Sequence, residues 1–279
     1  MQVQTPKISI IVSTYNWPEA LDMVLSTLVL QVLKYPNVEI IIADDGSLNT
    51  TASVINKYLE KIPNQLKHIW HEDVGFRKAM ILNKAVASAK GEYFLFLDGD
   101  CIPFPDYLSE HIKLMEKGFF VSGGRVLLSK DFSEELFNDI KKLQNIYNWG
   151  AIDWLIARFN RKVNKFFPWL RFGSQWWRYI RSTNWQYPKG CNFGMWRKDF
   201  LLVNGFDEEY NGWGHEDADL FIRLLHAGIK IKNGRFAVSV LHVWHKEADR
   251  KLAEKNWNRL IERLADYNFT KANIGINQY

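Results

Sequence analysis

Uninterrupted apolar runs alternate along this chain with stretches whose apolar residues return every third or fourth position. The run Lys7 to Asn16 (KISIIVSTYN) carries β-branched and apolar side chains without polar alternation, which predicts a strand covered on both faces. Pro18 follows in a first-turn position, and Leu21, Val24, Leu25 and Leu28 recur at helical spacing. The alternation repeats with a strand over Val38 to Ala43, a helix from about Thr51 to Ile62 and a strand KHIW over Lys67 to Trp70. A helix over FRKAMILNKAVASA (Phe76 to Ala89) and a strand over Tyr93 to Leu97 complete the series. Strands alternating with helices predict an α/β fold, a doubly wound and mostly parallel sheet with helices on both faces.

Open sheets of this kind bind ligands beyond the carboxyl ends of their strands. Three polar clusters fall there: STYN at Ser13 to Asn16, DDGS at Asp44 to Ser47, and Asp98-Gly99-Asp100. Neither G-x-G-x-x-G after the first strand nor G-x-x-x-x-G-K-[ST] is present, so any phosphate handled at this rim calls for a metal. Asp98 and Asp100, one glycine apart, can turn toward one hard cation such as Mg²⁺ or Mn²⁺. Further on, NGWGHEDADLFIRLLHAG (Asn211 to Gly228) predicts a helix with Glu216, Asp217 and Asp219 in its first turn. Acids there are favoured by about 0.3–1 kcal/mol through the helix dipole alone. The lead-in argues for more, since Gly212 and Gly214 admit a ligand close to the backbone and Trp213 offers a flat face for a sugar ring. The apolar VSVLHVWH then predicts a strand ending with His242 and His245, and a neutral imidazole can complete a Mn²⁺ site.

At 279 residues, 47% hydrophobic and 24% charged, the chain can bury a large core, which excludes the disordered and fibrous classes. No export signal and no membrane span is expected, which places the chain in the cytoplasm. Cys101 and Cys191 are too few and too far apart in sequence to indicate a disulfide framework or a structural zinc. The formal charge of +5 is concentrated from Lys141 to Lys189, where Lys and Arg mix with Trp, Tyr and Phe and acids are nearly absent. A nucleic-acid groove or an anionic lipid surface would both suit that mixture. Within it, Trp154, Leu155, Phe159, Val163, Phe166 and Phe167 fall near one face of an expected amphipathic helix.

The ordered set ISIIVSTYN, ADDGS, FLDGD and NGWGHEDADL resembles the inverting glycosyltransferases of family 2 with the GT-A fold, in particular the branch with a galactosyltransferase-like Trp-Gly-x-Glu-Asp segment. The resemblance implies one GT-A-like catalytic domain over 1–279, with a nucleotide-sugar-binding half at 1–125, the aromatic and basic helical insert at 126–190, and an acceptor and catalytic half at 191–279. Thr14, Tyr15, Asn16, Asp44 and Asp45 would surround the nucleoside. Phe76, Arg77 and Lys78 would contact nucleobase and phosphates, and Asn192 the donor sugar. Asp98 with Asp100 would hold Mn²⁺ or Mg²⁺ and the ribose, with His242 or His245 as an added ligand. Asp217 would be the catalytic base, Glu216 a contact to donor or acceptor hydroxyls, and Trp213 part of the acceptor wall. The implied reaction moves a hexose or N-acetylhexosamine, from a UDP-sugar in first place, to a saccharide or lipid-linked acceptor in bacterial surface glycan synthesis, on the inner face of the cytoplasmic membrane. Nucleic acid has no role in such chemistry. His215 and the insert depart from the family's pattern. Competing readings are a haloacid-dehalogenase-like phosphatase using Asp98, a nucleotidyltransferase, and a carbohydrate-binding module without activity.

Overall fold

The computed structural model describes residues 7–173, 175–246 and 249–279; the reading of residues 1–6 as free of an export signal lies outside them. Among the described residues ten strands run in chain order: β1 (Ile8–Thr14), β2 (Val38–Asp44), β3 (Leu66–Trp70), β4 (Tyr93–Asp98), β5 (Cys101–Pro103), β6 (Phe119–Ser122), β7 (Gly124–Leu127), β8 (Asn192–Trp196), β9 (Lys230–Asn233) and β10 (Ser239–His242). The helices are α1 (Pro18–Val32), α2 (Asn49–Leu59), α3 (Lys78–Ala87), α4 (Tyr107–Leu114), α5 (Lys130–Asn138), α6 (Ile140–Tyr147), α7 (Ala151–Phe159), α8 (Arg197–Leu202), α9 (Glu216–His226) and α10 (Ala253–Ala265).

Among the described residues the main sheet has seven strands in the order β3-β2-β1-β4-β8-β6-β9, and β8 alone runs against the rest. Both faces are covered, as the unbroken apolar runs require. Ile8, Ile10 and Val12 of β1 pack on one side with Leu21, Val24, Leu25 and Leu28 of α1, while Ile11 points to the other side, toward Ile81, Leu82, Ala85 and Val86 of α3. Strand register then aligns the polar exits, with Thr14 beside Asp44 and Ser13 beside Asp98. A smaller sheet, β5-β10-β7, pairs His242 with Cys101 and so lays β10 against the segment that follows Asp100.

The insert is not the continuous amphipathic helix expected from its sequence. Helix α7 ends at Phe159, Arg161 adopts a positive φ of 56°, and the reversed chain forms an isolated antiparallel bridge between Val163 and Leu128. Trp154 and Val163 are therefore buried by different segments, while Phe159 is 87% exposed. The later part is fastened by Arg178, whose buried guanidinium donates to the carbonyls of Phe172, Gly173, Asn233 and Arg235.

Asn192 is also corrected. It lies on β8 with no exposed surface, accepts from the Tyr107 hydroxyl and donates through Nδ2 to the carbonyls of Gly124 and Val238. A donor sugar cannot reach an amide spent on ties between strands. Asn192→Ala is expected to lower the free energy of unfolding by about 2 kcal/mol in urea, since buried polar partners are left unpaired, with donor affinity unchanged. Lost donor affinity at unchanged stability would return the residue to the sugar pocket.

Candidate active site

The rim is built from backbone turns that present side chains. After β1 the chain turns at Asn16, whose φ is 46°; its N–H donates to Ser47 Oγ and its Oδ1 accepts from the Leu48 N–H. The loops after β1 and β2 are thus tied together. Gly46 has φ 95°, and a Cβ there would come within 2.6 Å of the Asp73 backbone, so the second loop has no room for a side chain. Tyr15 is half exposed and donates its hydroxyl to Asp73 at 2.8 Å, while Thr14 takes the Asp45 N–H on its carbonyl.

The paired acids of the second loop have different surroundings. Asp44 is buried and accepts from the Ser47 N–H at 2.8 Å and from His68 at 2.9 Å; burial acts against its ionised form, but these hydrogen bonds outweigh it and lower the pKa. Asp45 pairs with His71 at 2.8 Å and takes the Arg77 N–H at 2.9 Å, and burial leaves its pKa raised. That last bond fixes the start of α3, with Phe76 partly exposed ahead of it. His68 and His71 escaped sequence reasoning, because nothing in the local pattern distinguishes them from other strand-end histidines.

Lys78, in the first turn of α3, reaches across the rim to Asp98 Oδ1 at 2.6 Å, and Ser13 donates to the same oxygen at 2.8 Å. Burial would pull the Lys78 pKa down, but Asp98, Glu216 and Asp217 together raise it, so the ammonium persists. Asp98 is accordingly committed to a cation of the protein and is not brought into the carboxylate pair expected to hold metal. Asp100 turns the other way, its Oδ2 3.3 Å from His245 Nε2 and 3.7 Å from His242 Nε2.

Asp100, His242 and His245 each offer one ligand atom, all within 4.8 Å of one another, and this one-oxygen, two-nitrogen set fits a divalent transition ion such as Mn²⁺. Burial lowers the His242 pKa despite the nearby Asp100, which favours the neutral, ligating imidazole. The insert holds this corner in place: Ser133 of α5 accepts the Trp244 N–H at 2.9 Å, Leu128 donates to the His242 carbonyl, and Phe137 packs edge-on to Trp17, which packs edge-on to His245.

The opposite wall is the start of α9. His215 precedes the helix at φ 75°, and Gly214 and Gly212 also have positive φ, so the NGWG segment folds as a tight loop. Buried Asn256 of α10 clasps it, donating to the carbonyls of Asn211 and Gly214. Trp213 stays partly exposed with the Arg250 guanidinium 4.9 Å from its ring centre. Glu216 points inward and is buried, and burial followed by the adjacent Asp217 charge pushes its carboxyl up to about 7. Asp217 remains partly accessible at the rim, with Oδ2 accepting the Gly190 N–H at 2.8 Å; a Cβ on Gly190 would meet that oxygen at 2.3 Å.

A nucleotide-type sheet rim facing a helix that begins with two acids is an arrangement of the GT-A type, and the chain's similarity to known proteins supports that fold. Residues 9–188 match "Glycosyl transferase family 2" and residues 177–246 match "N-terminal domain of galactosyltransferase". The chain belongs to glycosyl transferase family 2 and is a glycosyltransferase, which removes the phosphatase, nucleotidyltransferase and binding-module readings. It is 25% identical to validoxylamine A glucosyltransferase of Streptomyces hygroscopicus subsp. jinggangensis, over 92% of this chain and 61% of that one. It is 27% identical to hyaluronan synthase of Pasteurella multocida, over 88% of this chain and 25% of that one. It therefore spans less than two thirds of the length of either relative. The mannosyltransferase PcManGT of Pyrobaculum calidifontis, solved with GDP-mannose and Mn²⁺, shares the fold at a TM-score of 0.57 and 18% identity, covering 95% of this chain and 64% of that one.

The raised Glu216 carboxyl has a thermodynamic consequence. Its folded pKa of about 7 exceeds the ordinary value of 4.5, so the folded state holds a proton that the unfolded state has released between those limits. Stability should fall as pH rises from about 4.5 to about 7 and then level off. In protein stripped of metal, Glu216→Gln should be more stable than the parent by about 1–3 kcal/mol at pH 8 and indistinguishable from it at pH 4. Denaturant titrations at both pH values check this, and a parallel shift at both would mean that the carboxyl titrates normally.

Proposed function

We propose that the chain transfers a hexose or N-acetylhexosamine, with inversion, from a nucleotide-sugar to a hydroxyl of a saccharide or lipid-linked saccharide, in the building of a bacterial surface glycan on the cytoplasmic side of the membrane. The observation that carries this reading is the Lys78 cluster, which sets the sheet rim bearing Asp98 in the same charge field as Glu216 and Asp217. Donor and acceptor chemistry thereby face each other across one ammonium group.

In this reading Thr14, Tyr15, Asn16 and the Asp44-Asp45 loop receive the nucleoside, and Arg77 with Lys78 receives phosphate oxygens. A divalent ion held by Asp100, His242 and His245 would neutralise charge on the departing diphosphate. Two imidazoles suit Mn²⁺ better than Mg²⁺, which prefers oxygen ligands and its own water, and the PcManGT structure carries Mn²⁺. Asp217, accessible at the rim, takes the proton of the attacking hydroxyl, and the Gly190 N–H fixes the carboxylate's orientation. Glu216 stays behind it as a buried contact, and Trp213 stacks on the acceptor ring. The galactosyltransferase match favours a UDP-sugar. GDP-mannose in PcManGT, which shares the fold, is the reason for testing GDP-sugars as well. The resemblance to hyaluronan synthase favours a growing polysaccharide as acceptor.

A panel of UDP- and GDP-sugars, assayed for release of nucleoside diphosphate with Mn²⁺, tests the proposal. Chelation should abolish turnover and Mn²⁺ should restore it more fully than Mg²⁺, while His245→Ala and Asp100→Ala should weaken Mn²⁺ binding measured by calorimetry. Full turnover in excess chelator would overturn the metal assignment. Separately, Asp217→Asn should retain donor affinity and lose transfer by about 10²–10⁴ in rate. Intact transfer in that variant would leave Asp217 as no more than a favourable acid at a helix start.

A further inference from the structure

We propose that α7 is a lipid-docking element, whose outer face of Ile152, Leu155, Ile156 and Phe159 enters the interfacial layer of an anionic membrane. This deepens the reading of a lipid-linked acceptor, on which its purpose rests.

The geometry of the helix carries the inference. At roughly 100° per residue, Trp154 and Ala157 fall on one side and are 1% and 4% exposed. The spacing i, i+3, i+4, i+7 places Ile152, Leu155, Ile156 and Phe159 on the opposite side, where they are 72%, 56%, 53% and 87% exposed. The helix thus has two apolar faces, and among the described residues only one of them is covered. Scattered exposed apolar residues are ordinary, but four contiguous large ones on a single stripe mark an interaction surface. This stripe is not the face expected from the sequence, because Val163, Phe166 and Phe167 no longer lie on the same helix.

Charge selects the partner. From Lys141 to Lys189 there are ten Lys and Arg residues and one acid, Asp153, which is turned back to accept the Gly150 N–H at the helix start. Arg158 and Arg161 are exposed close to the stripe in sequence. Apolar side chains flanked by cations suit an anionic lipid surface. A second copy would bring two basic faces together, which like charge opposes. Single-stranded nucleic acid would need aromatic faces for stacking, and three of the four stripe residues are aliphatic. The inner face seats the helix firmly, with Trp154 packed on Trp149 and Phe104. Phe104 follows β5, which itself follows Asp100, so a docked α7 would fix the rim relative to the lipid surface.

Cosedimentation of the intact protein with phosphatidylcholine vesicles, with and without one part in three of phosphatidylglycerol, tests the proposal. The protein should pellet with the anionic vesicles and be released as salt rises. The double variant L155S/F159S should lose about tenfold or more in vesicle affinity, with thermal unfolding and solution turnover of nucleotide-sugar unchanged. Because turnover is read on the same samples without lipid, a failure of the catalytic reading registers separately. A parent that stays in the supernatant with both vesicle types, or a double variant that binds as the parent does, overturns the proposal. So does a parent dimer that the double variant converts to a monomer, since the stripe would then belong to a second copy.

Discussion

The arrangement of this molecule depends on one partly buried ammonium group. Lys78 retains 19% of its side-chain exposure and is held 2.6 Å from Asp98, with Glu216 and Asp217 acting on it from the far wall. Charges of one sign drawn together away from water repel strongly, and a cation among them is what makes the assembly tolerable. The three acids come from two elements more than a hundred residues apart in sequence, the exit of β4 and the start of α9. The tie is therefore both electrostatic and architectural. Backbone reinforces it, since the Gly212 N–H donates to the Phe76 carbonyl two residues before Lys78.

That commitment explains why two carboxylates one glycine apart do different work. Asp98 is still in register with Ser13 on β1 and belongs to the sheet, whereas Asp100 stands at the turn into β5 and faces the histidines. Gly99 permits the division. Its N–H bonds the Ser13 carbonyl at 2.7 Å, and a Cβ there would come within 2.8 Å of that oxygen, so any side chain would push the turn off β1. The glycine is required by close approach between backbones.

Periodicity alone made the α/β core legible, because β1, β2 and β4 are buried on both faces and their apolar runs are unbroken. The polar exits were legible for the same reason, as breaks in those runs. What could not be read was whether a polar residue faces outward or is used internally. Asn192 looks like a ligand contact in sequence, yet its amide ties strands together. Nor could the sequence show where α7 ends, since Arg161 carries no mark of its left-handed backbone. Asn256, which clasps the NGWG loop, lies forty residues beyond that motif on a polar helix and has no local signature.

The insert lies almost entirely within the residues that match glycosyl transferase family 2, and it positions one corner of the candidate site. His242 ends β10 and is placed by strand pairing, but His245 lies three residues past the end of that strand, where no sheet pairing holds it. Its position comes from the Trp244 N–H on Ser133 and from the edge-on contacts of Phe137 with Trp17 and of Trp17 with His245, two ties that begin on α5. A carboxylate and one imidazole fixed by the core would form an incomplete set for an ion; the second imidazole is brought beside them by the insert folding against it. Orientation of a metal ligand by its neighbours is as much a part of a site as the ligand itself. The same segment, distinctive in composition, therefore orients one of the three groups that would hold an ion in the proposed reading.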